Sequence, residues 1–318
     1  MSYSVAILCN PGAGGVRRQL QGMRSLCGEI AGANYLEADG AALGDGSVPW
    51  LLASRPDLLV VVGGDGTLHG ALNHLFTPQR VGPLPALLVV PAGTTNMSAL
   101  DLGVSGAADK VLLRLRDKLA QNSSPPWPIT SRPILQVEAP AVGRLCGMFF
   151  GAGIIARGVQ YFTSHIRTRG ITGEAASALV VARFLGALLG ADRGGLTAPV
   201  AAQLEGLPGL SARQPYVAIL ASVLDRLLLG MRPYWGAEAA PIHVTAVKSH
   251  PGKLYRSLFP LLSGRGATLC GEEGYASANV QTMSVKLEGP FVIDGQCYDA
   301  RGETLALSVA GQINFLRL

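Results

Sequence analysis

The sequence predicts an α/β domain built on a parallel sheet, followed by a mainly antiparallel β-sandwich domain. Three observations predict it. Continuous apolar strand runs alternate with helical periodicity through residues 1–130. A Pro-rich stretch, AQNSSPPWPITSRP (Ala120–Pro133), then interrupts the pattern and reads as a linker. Beyond it, short segments alternate apolar and polar residues, as strands with one wet face do. The expected division is therefore 1–130 and 131–310, with 311–318 returning to complete the first domain.

In the first domain SVAILCN (Ser4–Asn10) is the opening strand, PGAGG a turn, and VRRQLQGMRSLCGEIAG one helix. DLLVVV is the second strand, TLHGALNHLF a helix, ALLVVP (Ala86–Pro91) the third strand, and AGTTNMSALDLG a loop that opens another helix. In the second domain ILQVEA, RLCGMFFGAG, PVAAQLEG, YVAILAS, IHVTAVK, VQTMSVKLEG, PFVIDGQCYDA and TLALSVAG read as strands. A helical insertion is expected near 156–191. Its apolar run Ala176–Ala191 is broken by Arg183 and falls short of the ~18 residues a membrane-spanning helix needs.

Composition narrows the function. A net charge of +5 suits a phosphate ligand or an anionic surface. No Lys/Arg run and no aromatic–basic interleaving supports nucleic-acid binding. The five cysteines are scattered without CxxC spacing, which argues against a disulfide framework or a zinc site and for reduced, mostly buried thiols. The N-terminus MSYSVAILCN lacks a basic signal-peptide start, so a cytoplasmic location is expected.

Three Gly-containing loops follow strands: NPGAGG (Asn10–Gly15), GGDGT (Gly63–Thr67) and PAGTTN (Pro91–Asn96). In a parallel sheet all three fall on the carboxyl rim, where ligands bind. Glycines let a phosphate approach the backbone without a Cβ clash, and the helix that follows adds positive partial charge. Thr67 is expected either to cap that helix or to donate to a phosphate oxygen. Asp65 is a candidate for a magnesium shell. His69 falls in the first turn after this loop, more consistent with a surface helix position than with nucleotide contact. Neither GxGxxG nor GxxxxGK[ST] occurs, so no dinucleotide fingerprint or Walker loop is supported.

NPGAGG, VVVGGDGTLHGALNHL and VVPAGTTNMSALDLG, in this order and spacing, resemble the catalytic-domain family of diacylglycerol kinases, which includes bacterial lipid kinases, sphingosine kinases and ceramide kinases. The resemblance implies a fold like that of diacylglycerol and NAD kinases. It implies ATP phosphates bound between an α/β and a β-sandwich domain, with Asn10, Gly63, Gly64, Asp65, Gly66, Thr67, Gly93, Thr94 and Asn96 as nucleotide contacts. FVIDGQCYD (Phe291–Asp299) matches the family's DGE motif, which puts Asp294 in the place of the general base that deprotonates the lipid hydroxyl. Taken alone, Asp294-Gly295 also reads as a hairpin turn. His165, Arg167 and Arg169 suit a phosphorylated head group or an anionic membrane, and equally a solvated basic loop.

The chain departs from the family pattern at Gln296 for Glu, Gly70 for Glu, and Met97 for Asp. The acidic DDG loop that holds magnesium in some bacterial members is replaced by GMRPYWGAEAAPIHVTAVK, which offers only Glu238, so no protein metal ligand is carried over. The resulting expectation is an ATP- and Mg²⁺-dependent kinase acting on a diacylglycerol-like or sphingoid lipid. It would take its substrate from a membrane surface, through peripheral contact at the inner face. Exposed sandwich edges allow a homodimer. The alternatives are a nucleotide-binding homologue without catalysis, motivated by Gln296 and Met97, and an NAD kinase.

Overall fold

A computed structural model describes residues 3–38, 53–78, 82–121, 127–161, 197–207, 210–249 and 274–318, with isolated positions between 186 and 269. The chain divides into two compact units, Met1–Arg132 with Gly311–Leu318, and Pro133–Ala310. The first unit has parallel strands with helices, and the second has mainly antiparallel strands.

The first unit runs β1 (Val5–Cys9), α1 (Gly14–Arg17), α2 (Leu20–Ala31), β2 (Tyr35–Glu37), β3 (Leu58–Gly63), α3 (Asp65–Leu75), β4 (Ala86–Pro91), α4 (Met97–Asp101) and α5 (Ala108–Ala120). Its strands lie in the order β4–β3–β1–β2, all parallel, with Leu8 opposite Val61 and Val61 opposite Val89. Every residue of β1 and β3 is buried. Apolar side chains on both faces demand cover on both: α2 and α5 cover one face together through Met23, Cys27, Val111, Leu112 and Leu115, while α3 packs on β3 and buries Leu68 and Leu72.

Two expectations need correcting here. The single helix expected from Val16 onward is two, with a break at Gln19. The cause lies in a distant part of the chain: the Gly15 N–H bonds the Ala92 carbonyl at 2.9 Å and pins the first turn. The helix restarts at Leu20 with Met23 and Cys27 facing the core. The Pro-rich stretch is not all linker either. Trp127 is buried against Tyr3, ring centroids 5.0 Å apart, and β5 (Ile129–Ala139) starts two residues later. Arg132 reaches Asp101 at 3.3 Å.

The second unit holds the rest of β5 and then β6 (Gly143–Gly147), β7 (Phe149–Gly153), α6 (Ile154–Tyr161), β8 (Val200–Glu205), β9 (Gln214–Ser222), β10 (Ile242–Lys248), β11 (Tyr275–Val280), β12 (Met283–Leu287), β13 (Pro290–Ile293), β14 (Gln296–Asp299) and β15 (Thr304–Leu316). Its neighbours β14–β13–β7–β9–β8–β12 pair antiparallel, and β10 joins β9 to β11. Strand β12 alternates buried and wetter residues from Met283 to Leu287, as a half-covered sheet requires. The stretch RLCGMFFGAG, expected as one strand, splits at Met148, whose N–H turns aside to a carboxylate described below.

Strand β15 contributes residues 304–310 to the second unit and 311–316 to the first. There Phe315 lies parallel to β4, opposite Leu87. The expected helical insertion starts at Ile154, and its residues 162–185, with His165, Arg167 and Arg169, lie outside the described residues. Among the described residues, no helix is long and apolar enough to cross a membrane.

Candidate active site

In the first unit the carboxyl ends of β1, β3 and β4 carry the three Gly-containing loops. They are tied to one another. The Asn10 N–H bonds the Val62 carbonyl at 2.9 Å, and its side-chain amide donates to the Thr67 hydroxyl at 3.1 Å. The Asn10 carbonyl oxygen of the side chain accepts from the Gly12 N–H at 2.9 Å. The Ala92 N–H bonds the Gly63 carbonyl at 2.9 Å. Asn96, in the left-handed region at φ 47, folds back so that Oδ1 accepts from the Gly93 N–H at 2.7 Å.

The glycines are needed for this closeness. A Cβ on Gly93 would lie 2.5 Å from the Gly64 Cα, and one on Gly63 would lie 2.4 Å from the Thr67 hydroxyl. The rim is therefore two backbones in direct contact, which any side chain would force apart.

Thr67 is not the helix cap. Helix α3 starts at Asp65 with Gly64 before it, and Thr67 is buried inside the first turn, its hydroxyl accepting from Asn10. Asp65 also turns inward. Its carboxylate accepts from the Thr95 hydroxyl at 2.6 Å, the Met97 N–H at 3.1 Å and the Ser98 N–H at 2.9 Å. It thus caps α4 from the first turn of α3 and complements that helix terminus. The magnesium shell considered for Asp65 does not suit a carboxylate spent on three internal donors.

Replacing Asp65 with Ala is expected to destabilise the protein by about 3 kcal/mol, since buried donors to a charged acceptor are orphaned. Urea unfolding measures it, and a loss near zero would show the cap to be idle. His69, expected on a surface, is buried, and the Asn73 amide lies 3.2 Å from its Nε2. The physical reason is that α3 turns this side of its first turn inward. Gly66 and Thr94 complete the rim, Gly66 in the first turn of α3 and Thr94 half-buried after β4. The N–H groups of Asp65 and Gly66 have no acceptor within the helix, so this edge suits an anion.

In the second unit Asp294 and Gly295 form the two-residue turn between β13 and β14, with φ 47 and 82 and Ile293 opposite Gln296. Two consecutive positive φ values define a type I′ turn, for which Asp-Gly is favoured. The turn aims the Asp294 side chain inward, where it is 2% exposed. The Phe149 N–H donates to its Oδ1 at 2.9 Å, and the Met148 N–H lies 3.1 and 3.0 Å from its two oxygens. The Ser222 hydroxyl and the Val223 N–H both bond the Met148 carbonyl, at 2.9 and 3.0 Å, and hold that peptide in place. Gly147 is required beside them: a Cβ there would lie 2.4 Å from Asp294 Oδ2. Burial, then the negative charge of Asp294, then Cys297 push the Tyr298 phenol up to about 12. Gln296 is exposed at the start of β14. The turn reading and the inward-aimed carboxylate are thus both present in one hairpin.

The loop that replaces the acidic family segment is fastened by Asn279. The Asn279 N–H donates to Glu238 at 2.7 Å, and its side-chain amide bonds the Gly236 and Glu238 carbonyls at 3.0 and 2.9 Å. The N–H of Asn279, first among the causes, holds the Glu238 carboxyl below its ordinary value. No group of three or more His, Cys, Asp or Glu that could hold a metal occurs among the described residues.

Sequence reasoning missed Thr95, Ser98, Gly147, Met148 and Ser222. Met148 and Phe149 act through main-chain N–H groups, which leave no trace in residue type.

Residues 4–124 match the family model of the diacylglycerol kinase catalytic domain. A candidate diacylglycerol kinase from Bacillus anthracis str. Sterne superposes with TM-score 0.62 at 16% identity, covering 99% of this chain and 95% of that one. A diacylglycerol kinase from the same organism gives TM-score 0.55 at 14% identity, covering 99% and 97%. No match is found among curated proteins.

Proposed function

We propose, from the match of residues 4–124 to the diacylglycerol kinase catalytic domain, that this protein is an ATP-dependent lipid kinase. It transfers the γ-phosphate to the hydroxyl of a diacylglycerol-like or sphingoid lipid. The observation that carries the reading is the welded rim, in which three loops of the matched segment meet through Gly64, Gly93 and Asn10.

The rim's part is positioning. Main-chain N–H groups at the start of α3, with the helix dipole behind them, offset the charge of the phosphates. Phosphoryl transfer needs little covalent help beyond alignment and charge neutralisation. Asp294 accepts the proton of the attacking hydroxyl, and the Met148 and Phe149 N–H groups fix its oxygens in one orientation. Mg²⁺ enters with the substrate, on the phosphates of ATP.

A second reading, a nucleotide-binding homologue without catalysis, draws on the burial of Asp294, which is 2% exposed. The test is ATP turnover by purified protein with Mg²⁺ against mixed micelles of diacylglycerol, sphingosine or ceramide, and separately against NAD. A phosphorylated lipid is the expected product. Phosphorylated NAD would replace the lipid reading by an NAD kinase. Bound ATP with no product in any arm would favour the second reading.

A further inference from the structure

The loop after β9 closes on itself through three main-chain bonds. The Leu227 N–H donates to the Met231 carbonyl at 2.8 Å, the Gly230 N–H to Leu227 at 2.9 Å and the Met231 N–H to Leu228 at 3.2 Å. At its tip Leu229 and Gly230 have φ 56 and 76, a type I′ turn. Gly fits its position. Leu229 does not: this conformation favours Asn, Asp or Gly, because a Cβ crowds the backbone there. Moreover Leu229 is 54% exposed, so packing offsets little of the strain. Leu228 and Met231 stand half-buried beside it, and Arg226 and Arg232 are exposed on either side. With Asp225 also exposed the loop keeps a net positive charge, and its apolar tip suits an anionic bilayer, whose head groups meet Arg232 while acyl chains take the leucine.

The loop's position adds to this. From Asp294 the path runs through the Met148 N–H at 3.0 Å to the Met148 carbonyl, which bonds the Val223 N–H at 3.0 Å. Leu227 follows four residues later. The apolar tip therefore grows from the same strand end that supports the proposed base. We infer that Arg226–Arg232 is a membrane-docking loop, seating Leu229 in an anionic bilayer from the strand end that supports the hairpin expected to receive a lipid hydroxyl. Its purpose rests on the lipid-kinase reading, whereas its geometry does not.

The test is cosedimentation of the full chain, without ATP, on vesicles of phosphatidylcholine and phosphatidylserine at roughly 3:1 and on pure phosphatidylcholine. Leu229→Gly is the main variant, because glycine suits the turn and the fold is retained. Losing one inserted leucine is expected to lower the partition constant about tenfold on the mixed vesicles. Arg232→Gln is expected to lower it about fivefold there and to change nothing on pure phosphatidylcholine. Equal partitioning of wild type and Leu229→Gly would overturn the inference, as would a wild type that ignores both vesicles. A dimer that Leu229→Gly dissolves, seen by sedimentation without vesicles, would assign the loop to a second copy instead. Since no phosphoryl transfer is measured, a chain that docks but phosphorylates nothing contradicts only the kinase reading.

Discussion

Asp294→Asn is expected to cut lipid phosphorylation by about 10²–10⁴-fold while ATP affinity stays within about twofold. Asparagine keeps the shape and accepts the left-handed turn conformation at φ 47 as readily as aspartate. What it loses is the ability to take a proton. One of its two polar ends is also a donor, and it faces the Met148 or Phe149 N–H, so a stability cost of about 1–3 kcal/mol accompanies the loss. Kinetics and calorimetry separate the effects: kcat falls, and the dissociation constant for ATP does not move. Gly147→Ala makes the complementary perturbation, since its new Cβ would sit 2.4 Å from Oδ2 and push the carboxylate aside with its chemistry intact. Full activity in Asp294→Asn would leave the hairpin a structural turn and remove the base from the mechanism.

Gly93→Ala is expected to destabilise the protein by about 1–3 kcal/mol and to weaken ATP binding by at least about tenfold. The added carbon would lie 2.5 Å from the Gly64 Cα and 3.1 Å from Asn96 Oδ1. The first neighbour is backbone and has no rotamer to change, so the GGDGT loop itself must shift. That shift is transmitted to the first turn of α3, which begins one residue later. Gly22→Ala in α2 is the control, because nothing lies within 4 Å of its would-be Cβ. There the swap should be neutral or stabilising by up to about 1 kcal/mol. Thermal unfolding and nucleotide titration of both variants decide the matter. Unchanged ATP affinity in a folded Gly93→Ala protein would separate the rim from the nucleotide.

The two-part fold and the rim were readable because their signals are local. Strands β1 and β3 are fully buried, and a fully buried strand announces itself as a continuous apolar run. Asp294-Gly295 is a turn signal in two letters. What was not readable lies in partners far apart in the chain. Asp65 looked like a metal ligand because sequence shows a carboxylate but not the Met97 and Ser98 N–H groups that consume it. Thr67 looked like a cap because its hydroxyl's partner, Asn10, is in a different loop, after β1. Gln19 interrupts a helical pattern without Gly or Pro, since the cause is a hydrogen bond between Gly15 and Ala92. Ser222 supports the Met148 peptide from a different strand, and nothing in its neighbourhood in the sequence marks it.

The last strand bears on how the protein is made. Phe315 and Leu316 are fully or nearly fully buried in the first unit, and Phe315 pairs with β4. The first unit thus starts to be synthesised before the second and is finished after it. Until residues 311–316 emerge, the outer side of β4 lacks its neighbour and presents unpaired N–H and carbonyl groups to the crowded space outside the ribosome. A nascent first unit must wait, incomplete, while the intervening 178 residues of Pro133–Ala310 emerge. At about 5–20 residues per second that delay is roughly 10–35 seconds, long enough for chaperones to engage it. A fragment cut after residue 124 would hold the whole family match and still lack the strand that closes its sheet.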